Sequence, residues 1–340
     1  MAISSTQHAL QPAGHPARLG GILLCLGLLL VVVLLSMMLG AKTIAPEVVW
    51  HSLTGQLHNA DSTIVINARL PRTLAGIVVG IALGMSGALL QALTRNPLAD
   101  PGILGVNAGA SFAMALGVTL TGLTGLAAGT GFAWAGALAA SLVVWTIGTI
   151  NGGRVNPVRL TLAGVALSAV LSGMTSSLSL LNPETFDRMR FWQIGSLDIR
   201  SLHNLLLLTP AVLVGGVLAL IAARSLNTLS LGDEFAQALG TRVVATRLLT
   251  LLAVMLLCGS STALVGPIGF VGLMVPHVAR WWTGPDQRWI LLFSMLMAPV
   301  LLLTADIAGR LMAAGELRVS IVTAMIGAPV LIWLVRARKN

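Results

Sequence analysis

Long apolar runs alternate with short polar segments along the chain, and this pattern predicts about ten membrane-spanning helices. A transmembrane helix needs about 20 mainly apolar residues. The first run is too long for the apolar core of a signal peptide, so an uncleaved helix is expected. The predicted spans are 19–39, 73–93, two helices within 101–153, 160–181, 202–222, two helices within 247–279 with the second one short, 289–305 and 319–335.

Basic residues predict the orientation of these spans. An even number of spans places both termini on the same side of the membrane. With the termini in the cytoplasm, the inner segments carry twelve Lys and Arg residues and the outer segments eight, as the positive-inside rule requires. The predicted fold is an all-α polytopic membrane protein, with a disordered cytoplasmic tail over residues 1–18 and a transmembrane domain over residues 19–340.

Composition agrees with a membrane protein and excludes several other classes. The 340 residues are 56% hydrophobic and 9% charged, against about 25% charged residues in a soluble domain. The net charge of +9 is spread singly between apolar runs, which weighs against nucleic-acid binding. Two cysteines in apolar runs, Cys25 and Cys258, are too few for a disulfide framework or a four-ligand zinc site. Buried free thiols are expected, with no metal and no cofactor.

The middle of every predicted span lacks Asp, Glu, Lys and Arg. Proton-coupled transporters usually place an ionisable group at membrane depth, and an intramembrane hydrolase needs a nucleophile with a base or a metal site. Neither of the two lysines follows a P-loop pattern. The chain is therefore predicted not to be an enzyme. It is a channel, a passive carrier, a sodium carrier or the membrane half of an ATP-driven machine.

A short amphipathic helix is predicted on the inner surface, within the segment 225–246 that joins the sixth and seventh spans. Ser230 precedes Asp233 by three residues, the spacing of a capping box. Asp233 and Glu234 would lie in the first turn, where the helix dipole favours negative charge. Gly240 fits the position just past the end of the helix.

The same segment predicts an apolar binding face. Leu231, Phe235 and Leu239 recur every four residues and share one side of a helix. Such a helix could lie on lipid headgroups, but those helices are usually basic, so its acidic residues favour a cytoplasmic protein partner. The predicted docking residues are Ser230, Leu231, Gly232, Asp233, Glu234, Phe235, Ala236, Leu239 and Gly240.

Three arginines are predicted to meet at the outer ends of the helices. Arg69 and Arg72 precede the second span, and Arg310 follows the ninth. Guanidinium groups suit bidentate pairing with the carboxylates of a partner. Headgroup anchoring, or local pairing with Asp306 or Glu316, is the alternative.

Small residues predict close helix packing. Gly80 and Gly84 form a GxxxG pair, as do Gly105 and Gly109. Such pairs let helix backbones approach closely in lipid. Packing within the chain is favoured over a subunit interface.

Several long motifs, taken together, resemble the iron-siderophore and vitamin B12 permease family, the membrane subunits of binding-protein-dependent ABC importers. The resemblance covers about nine-tenths of the chain. The motifs are RLPRTLAG (69–76), QALTRNPLADPGILGVNAGAS (91–111), LGDEFAQALG (231–240), GPIGFVGLMVPHVAR (266–280), ADIAGRL (305–311) and GELRVSIVTAMIGAPV (315–330).

The resemblance implies a role for each feature above. The inner segment would dock on a cytoplasmic ABC ATPase dimer, and Arg69, Arg72 and Arg310 would receive acidic residues of a periplasmic binding protein. A second permease subunit, by analogy a paralogue rather than a second copy, would complete a pathway lined by the fifth and tenth spans. Met174, Ser177 and Met325 are candidates to face that pathway.

The implied function is transport of a ferric siderophore, of the catecholate, enterobactin-like type, across the bacterial inner membrane. The alternatives kept open are an ion-coupled secondary carrier for an iron chelate or a cobalamin-like ligand, and a membrane anchor without a transport role.

Overall fold

The computed structural model describes residues 15–122, 126–149, 157–199, 201–312 and 316–337. These residues form α-helices and connecting turns, with no strand among them. The helices are α1 (His15–Met38), α2 (Pro46–Leu53), α3 (Ala60–Ile64), α4 (Leu70–Thr94), α5 (Val106–Thr121), α6 (Leu126–Thr149), α7 (Pro157–Leu181), α8 (Pro183–Trp192), α9 (Leu202–Leu229), α10 (Asp233–Ala238), α11 (Val243–Val265), α12 (Val271–Thr283), α13 (Gln287–Met312) and α14 (Val319–Ala337).

Each of the ten predicted spans contains a helix. Within the described residues, seven helices are long and apolar enough to cross a membrane. They are α1, α6, α7, α9, α11, α13 and the continuous helix formed by α3 and α4. The helices α5 and α14 are apolar but shorter, and α12 has 13 residues, as expected for the eighth span. The ten-span count and the orientation of the termini stay predictions. Most of the predicted tail, residues 1–14, lies outside the described part of the chain.

Several helices run further than their predicted spans, and two of them do so through the predicted outer arginines. A π-helical turn, Val65–Arg69, joins α3 to α4, so this helix begins at Ala60 rather than at Thr73. Likewise, α13 continues to Met312 and includes Asp306 and Arg310. The sequence rule ended both spans at charged residues, but these residues pair with one another and the helices continue through them.

Burial divides the bundle into central and peripheral helices. In the most apolar 18-residue stretch of each helix, 78% of α3–α4 and 72% of α11 is buried inside the chain, but only 11% of α7. The core is therefore built around α4, which packs against α11, α12 and α13. Most of α7 faces outward, which leaves its apolar side chains available to lipid or to another subunit. Both cysteines are free and buried, as predicted.

The GxxxG pairs serve packing within the chain. A Cβ atom on Gly80 would lie 2.5 Å from the Cα of Pro299, and one on Gly84 would lie 2.5 Å from the carbonyl oxygen of Ser294. These glycines therefore bring α4 and α13 into backbone contact, as the favoured interpretation predicted. Gly109 makes a similar approach to Gly136 on α6. This close packing of α4 on α13 holds the outer charged residues together.

Candidate functional site

The inner segment forms the short helix α10 between α9 and α11, as predicted. Asp233, its first residue, accepts a hydrogen bond of 2.7 Å from Nη2 of Arg95 and another of 2.7 Å from Nη2 of Arg247. Arg95 follows the end of α4, and it also donates to the carbonyl oxygen of Leu229 at 2.6 Å. The carboxylate of Asp233 thus joins α10 to the C-terminal end of α4 and the first turns of α11. Arg95 connects the same group to the end of α9.

The charge of Asp233 is stabilised where it lies. Partial burial on its own raises the pKa of this carboxyl, but the hydrogen bonds and positive charges of Arg247 and Arg95 outweigh that effect. The pKa of Asp233 therefore lies below its ordinary value, and the carboxyl is ionised at neutral pH.

The predicted capping box is wrong. The N-cap residue of α10 is Gly232, which makes no side-chain cap. Ser230 is still helical, with φ −63° and ψ −24°, and its hydroxyl donates to the carbonyl oxygen of Asn227 at 2.6 Å. A capping side chain requires an extended backbone, and Asp233 is already held by two arginines. The expectation for Gly240 is confirmed, since it lies just past the helix with φ +79°.

The apolar face of α10 points away from the protein. Leu231, Phe235 and Leu239 are 62%, 69% and 64% exposed. On the opposite side, Ala236 is fully buried and packs with Leu229 and Val243. Only Phe235 lies within α10, because Leu231 precedes its N-cap and Leu239 is its C-cap, so the predicted repeat along one helix face is not formed. The three exposed apolar side chains still lie on one short segment held by ion pairs, a surface suited to a protein groove. This set, together with Ser230, Gly232, Asp233, Glu234, Ala236 and Gly240, is called the coupling segment below.

Far from the coupling segment along α4, Asp306 is the centre of a buried ion network. Nε and Nη2 of Arg72 donate to its carboxylate at 3.0 and 2.9 Å, and Nε of Arg310 donates at 2.8 Å. Nη1 of Arg72 donates to Glu316 at 2.7 Å. The local pairing that sequence analysis kept as an alternative is therefore present. Arg72 and Arg310 are 7% and 6% exposed, and Asp306 is fully buried.

The C-terminal end of α1 binds the remaining positive charge of this network. Arg310 donates to the carbonyl oxygens of Ser36 and Leu39 at 2.9 and 3.1 Å. Arg69 donates to the carbonyl oxygen of Met37 at 2.7 Å and to that of Lys42. The last carbonyls of a helix lack partners within it and carry partial negative charge. Together Arg69, Arg72, Asp306, Arg310 and Glu316 form what is called the outer network below.

A surface cavity of about 750 Å³ lies over the outer network. Five basic and two acidic residues line it, so its walls carry an excess of positive charge. The arginines of the outer network form part of this lining, although each is mostly buried. The basic residues are Lys42, Arg69, Arg72, Arg310 and Arg318, and the acidic ones are Asp198 and Glu316.

The three pathway candidates lie on the outside of the chain. Met174 is 46% and Met325 is 58% exposed. Met174 and Ser177 line a groove of about 520 Å³ along α7 and α5, and the hydroxyl of Ser177 donates to the carbonyl oxygen of Gly173 at 3.0 Å. Met325 is on α14 and is not part of this groove.

The partners of Asp233 were not predicted from the sequence, whereas pairing of the arginines with Asp306 was kept as an alternative. Arg95 and Arg247 were counted only as inner charges, and Asp306 only as an alternative partner. The one signal that local spacing offered is the pair Asp306 and Arg310, four residues apart on one helix face. Among the described residues, no group of three or more His, Cys, Asp or Glu side chains could hold a metal ion.

Comparison with known proteins gives consistent matches over nearly the whole chain. Residues 28–337 match the FecCD transport family. The ferric enterobactin transport system permease FepD of Escherichia coli is 57% identical over 313 residues, covering 92% of this chain and 94% of that protein. The hemin transport system permease HmuU of Yersinia pestis is 37% identical over 332 residues, covering 96% and 97%.

A solved structure shares the fold. A metal-chelate-type ABC transporter in an inward-facing conformation aligns with a TM-score of 0.81 and 28% sequence identity. The alignment covers 94% of this chain and 99% of the solved chain.

Proposed function

The chain belongs to the FecCD transport family, and we propose on this premise that it is the permease subunit of an ABC importer for a ferric siderophore. The similarity to a ferric enterobactin permease supports an enterobactin-like catecholate as the substrate. In this proposal the chain crosses the bacterial inner membrane ten times, with both termini in the cytoplasm. A separate subunit hydrolyses ATP, and the permease changes between outward and inward access.

The exposed apolar face of α10 carries the proposal. Leu231, Phe235 and Leu239 are exposed next to an acidic first turn, on a segment joined by Asp233 to α4 and α11. A movement of a bound ATPase subunit would therefore be transmitted to central helices of the bundle. The apolar side chains would fill a groove of the ATPase, as helix-in-groove interfaces do.

The positive cavity above the outer network is the proposed docking site for the binding protein. Asp306 holds the guanidinium groups of Arg72 and Arg310 in fixed orientations. Because Glu316 is 38% exposed, a carboxylate of the binding protein can compete with it for Nη1 of Arg72. Docking would then replace an internal carboxylate by an external one.

A second permease subunit, a paralogue in this proposal, would cover the outward faces of α7 and α14. Only 11% of the most apolar window of α7 is buried within the chain. Met174, Ser177 and Met325 would line the pathway between the two subunits.

The test is Phe235→Ala in the full complex of both permeases, the ATPase subunits and the binding protein, reconstituted in proteoliposomes. Phe235 makes little contact within its own chain, so stability should change by less than about 0.5 kcal/mol. Loss of an aromatic anchor should weaken ATPase binding about tenfold or more, with a parallel loss of ATP-driven uptake. Phe186→Ala is the matched control for ATPase binding, because Phe186 is also an exposed phenylalanine, 45% exposed, but lies on α8, outside the segment 225–246.

Two results would contradict the proposal. Unchanged ATPase binding and uptake in Phe235→Ala would remove the coupling role of α10. Accumulation of ferric siderophore against a gradient by this chain without an ATPase would instead indicate a secondary carrier.

A further inference from the structure

An apolar groove lies between α1 and the helices α12 and α13. Its volume is about 480 Å³, which is within the range of roughly 300–1,000 Å³ typical of ligand sites. It remains partly open, since Leu24 and Leu28 on one wall are 53% and 46% exposed. The side chains that form most of it are Leu24, Leu28, Val275, Val278, Phe293 and Met297.

One end of this groove has a basic residue that no described carboxylate neutralises. Nη2 of Arg18 donates to the carbonyl oxygen of Thr283 at 3.1 Å, and its guanidinium lies 5.1 Å from the ring centroid of Trp289. Its Nε is buried without a hydrogen-bond partner in the described part of the structure. The side chain is thus positioned by neutral groups, and its positive charge is not paired with any described carboxylate.

Arg18 and the groove are adjacent along α1. Gly21, the first residue of α1 that lines the groove, follows Arg18 by three residues, or about 4.5 Å of helix rise. Trp282 also lines this end and is 49% exposed. Tryptophan is enriched where the hydrocarbon of a membrane meets the headgroups. The site therefore combines a cation and indole rings at one end with an apolar slot at the other.

We propose that this groove binds an acyl chain of an anionic phospholipid whose phosphate pairs with Arg18. A guanidinium group forms strong charge-assisted hydrogen bonds with phosphate, and basic pockets between transmembrane helices favour anionic headgroups. The inference rests on α1, α12 and α13 alone, and it holds for either orientation of the chain. It is therefore independent of the proposed transport function.

The headgroup arm of the test compares lipids on the full chain purified in detergent. Native mass spectrometry counts bound dioleoyl phosphatidylglycerol, cardiolipin and dioleoyl phosphatidylcholine. Both anionic lipids should be retained about fivefold better than phosphatidylcholine, the factor that corresponds to one basic side chain at an anionic membrane surface. Arg18→Gln should abolish this preference. Arg288→Gln removes the same charge from an exposed position at the same end of the bundle and should preserve it.

The acyl-chain arm uses two adjacent glycines. A Cβ on Gly21 would lie 3.0 Å from the Phe293 ring and 3.1 Å from Nε1 of Trp282, whereas one on Gly20 would have no atom within 4 Å. Gly21→Leu should therefore fill the groove and reduce retention of all three lipids, and Gly20→Leu should not. Equal retention of anionic and zwitterionic lipids by the wild type, or an unchanged preference in Arg18→Gln, would overturn the proposal. So would equal retention by the two glycine variants.

Discussion

The chain places a carboxylate between two arginines at two points, and the two sites differ in burial. Asp306 pairs with Arg72 and Arg310, and its side chain is fully buried. Asp233 pairs with Arg95 and Arg247, and its side chain is 22% exposed. The same arrangement of charges therefore occurs once inside the bundle and once at its surface.

This difference in burial separates a fixed part of the molecule from a movable one. A buried ion pair is costly to break, because the remaining partner keeps an uncompensated charge. The outer network accordingly holds the ends of α1, α4 and α13 in one arrangement. At the second site Arg247 is only 7% exposed, but Arg95 is 44% exposed, and an exposed pair contributes little. The coupling segment is thus positioned by Asp233 without being locked.

The largest predicted effect comes from making the same substitution at both sites. Asp306→Asn should lower the free energy of unfolding by about 3–5 kcal/mol, since Arg72 and Arg310 lose their shared buried counter-charge. Asp233→Asn should cost less, because the pair with the exposed Arg95 is worth less than about 1 kcal/mol and only Arg247 loses a counter-charge in a buried position. Unfolding of the purified protein in detergent, followed by intrinsic tryptophan fluorescence, measures both values.

A third variant controls for the loss of a carboxylate as such. Asp61→Asn removes the partner of Lys42, a side chain that is 61% exposed, and should have little effect. Equal costs for Asp306→Asn and Asp233→Asn would refute the division into a fixed and a movable site.

An intermediate effect is expected at the one half-exposed member of the outer network. Glu316→Gln removes a charged acceptor from Arg72 but leaves Asp306 in place, so stability should fall by less than about 1 kcal/mol. Affinity for the proposed binding protein should rise, because Nη1 of Arg72 no longer has an internal carboxylate. Surface plasmon resonance with the permease complex in nanodiscs measures that affinity.

Glu184→Gln is the matched control for this gain in affinity. Glu184 is a half-exposed carboxylate on α8, paired with Arg188 at 3.7 Å, and it does not line the cavity over the outer network. It should leave the affinity unchanged. A fall in affinity in Glu316→Gln would mean that Glu316 supports docking rather than competing with it.

The membrane helices were largely predictable, because the length and polarity of a run of residues decide whether it can be a span. The outer network was predictable only as one of several alternatives, since Arg72 and Asp306 are 234 residues apart and only the packing of α4 on α13 brings them together. The short helix α10 was predicted from its apolar repeat and Gly240. Its capping failed as a prediction because local spacing does not reveal that distant arginines bind Asp233.

The smallest predicted effect is the pH dependence of the coupling segment. The folded-state pKa of Asp233 is lowered, so its contribution to stability is complete above the ordinary pKa of about 3.9. It is lost as the pH falls through the lower folded-state value. The stability difference between wild type and Asp233→Asn should therefore be constant from pH 7 to 5 and shrink below about pH 4.

Thermal unfolding of the two proteins in parallel from pH 7 to pH 3 measures this difference. Taking the difference removes the titration of carboxylates that both proteins share. A difference that already vanishes near pH 6 would mean that Asp233 is not held ionised by Arg95 and Arg247. In that case the packing of Ala236, and not the ion pairs of Asp233, would hold the coupling segment in place. The coupling segment and the outer network would then differ in the kind of interaction that holds them, not in the burial of similar ion pairs.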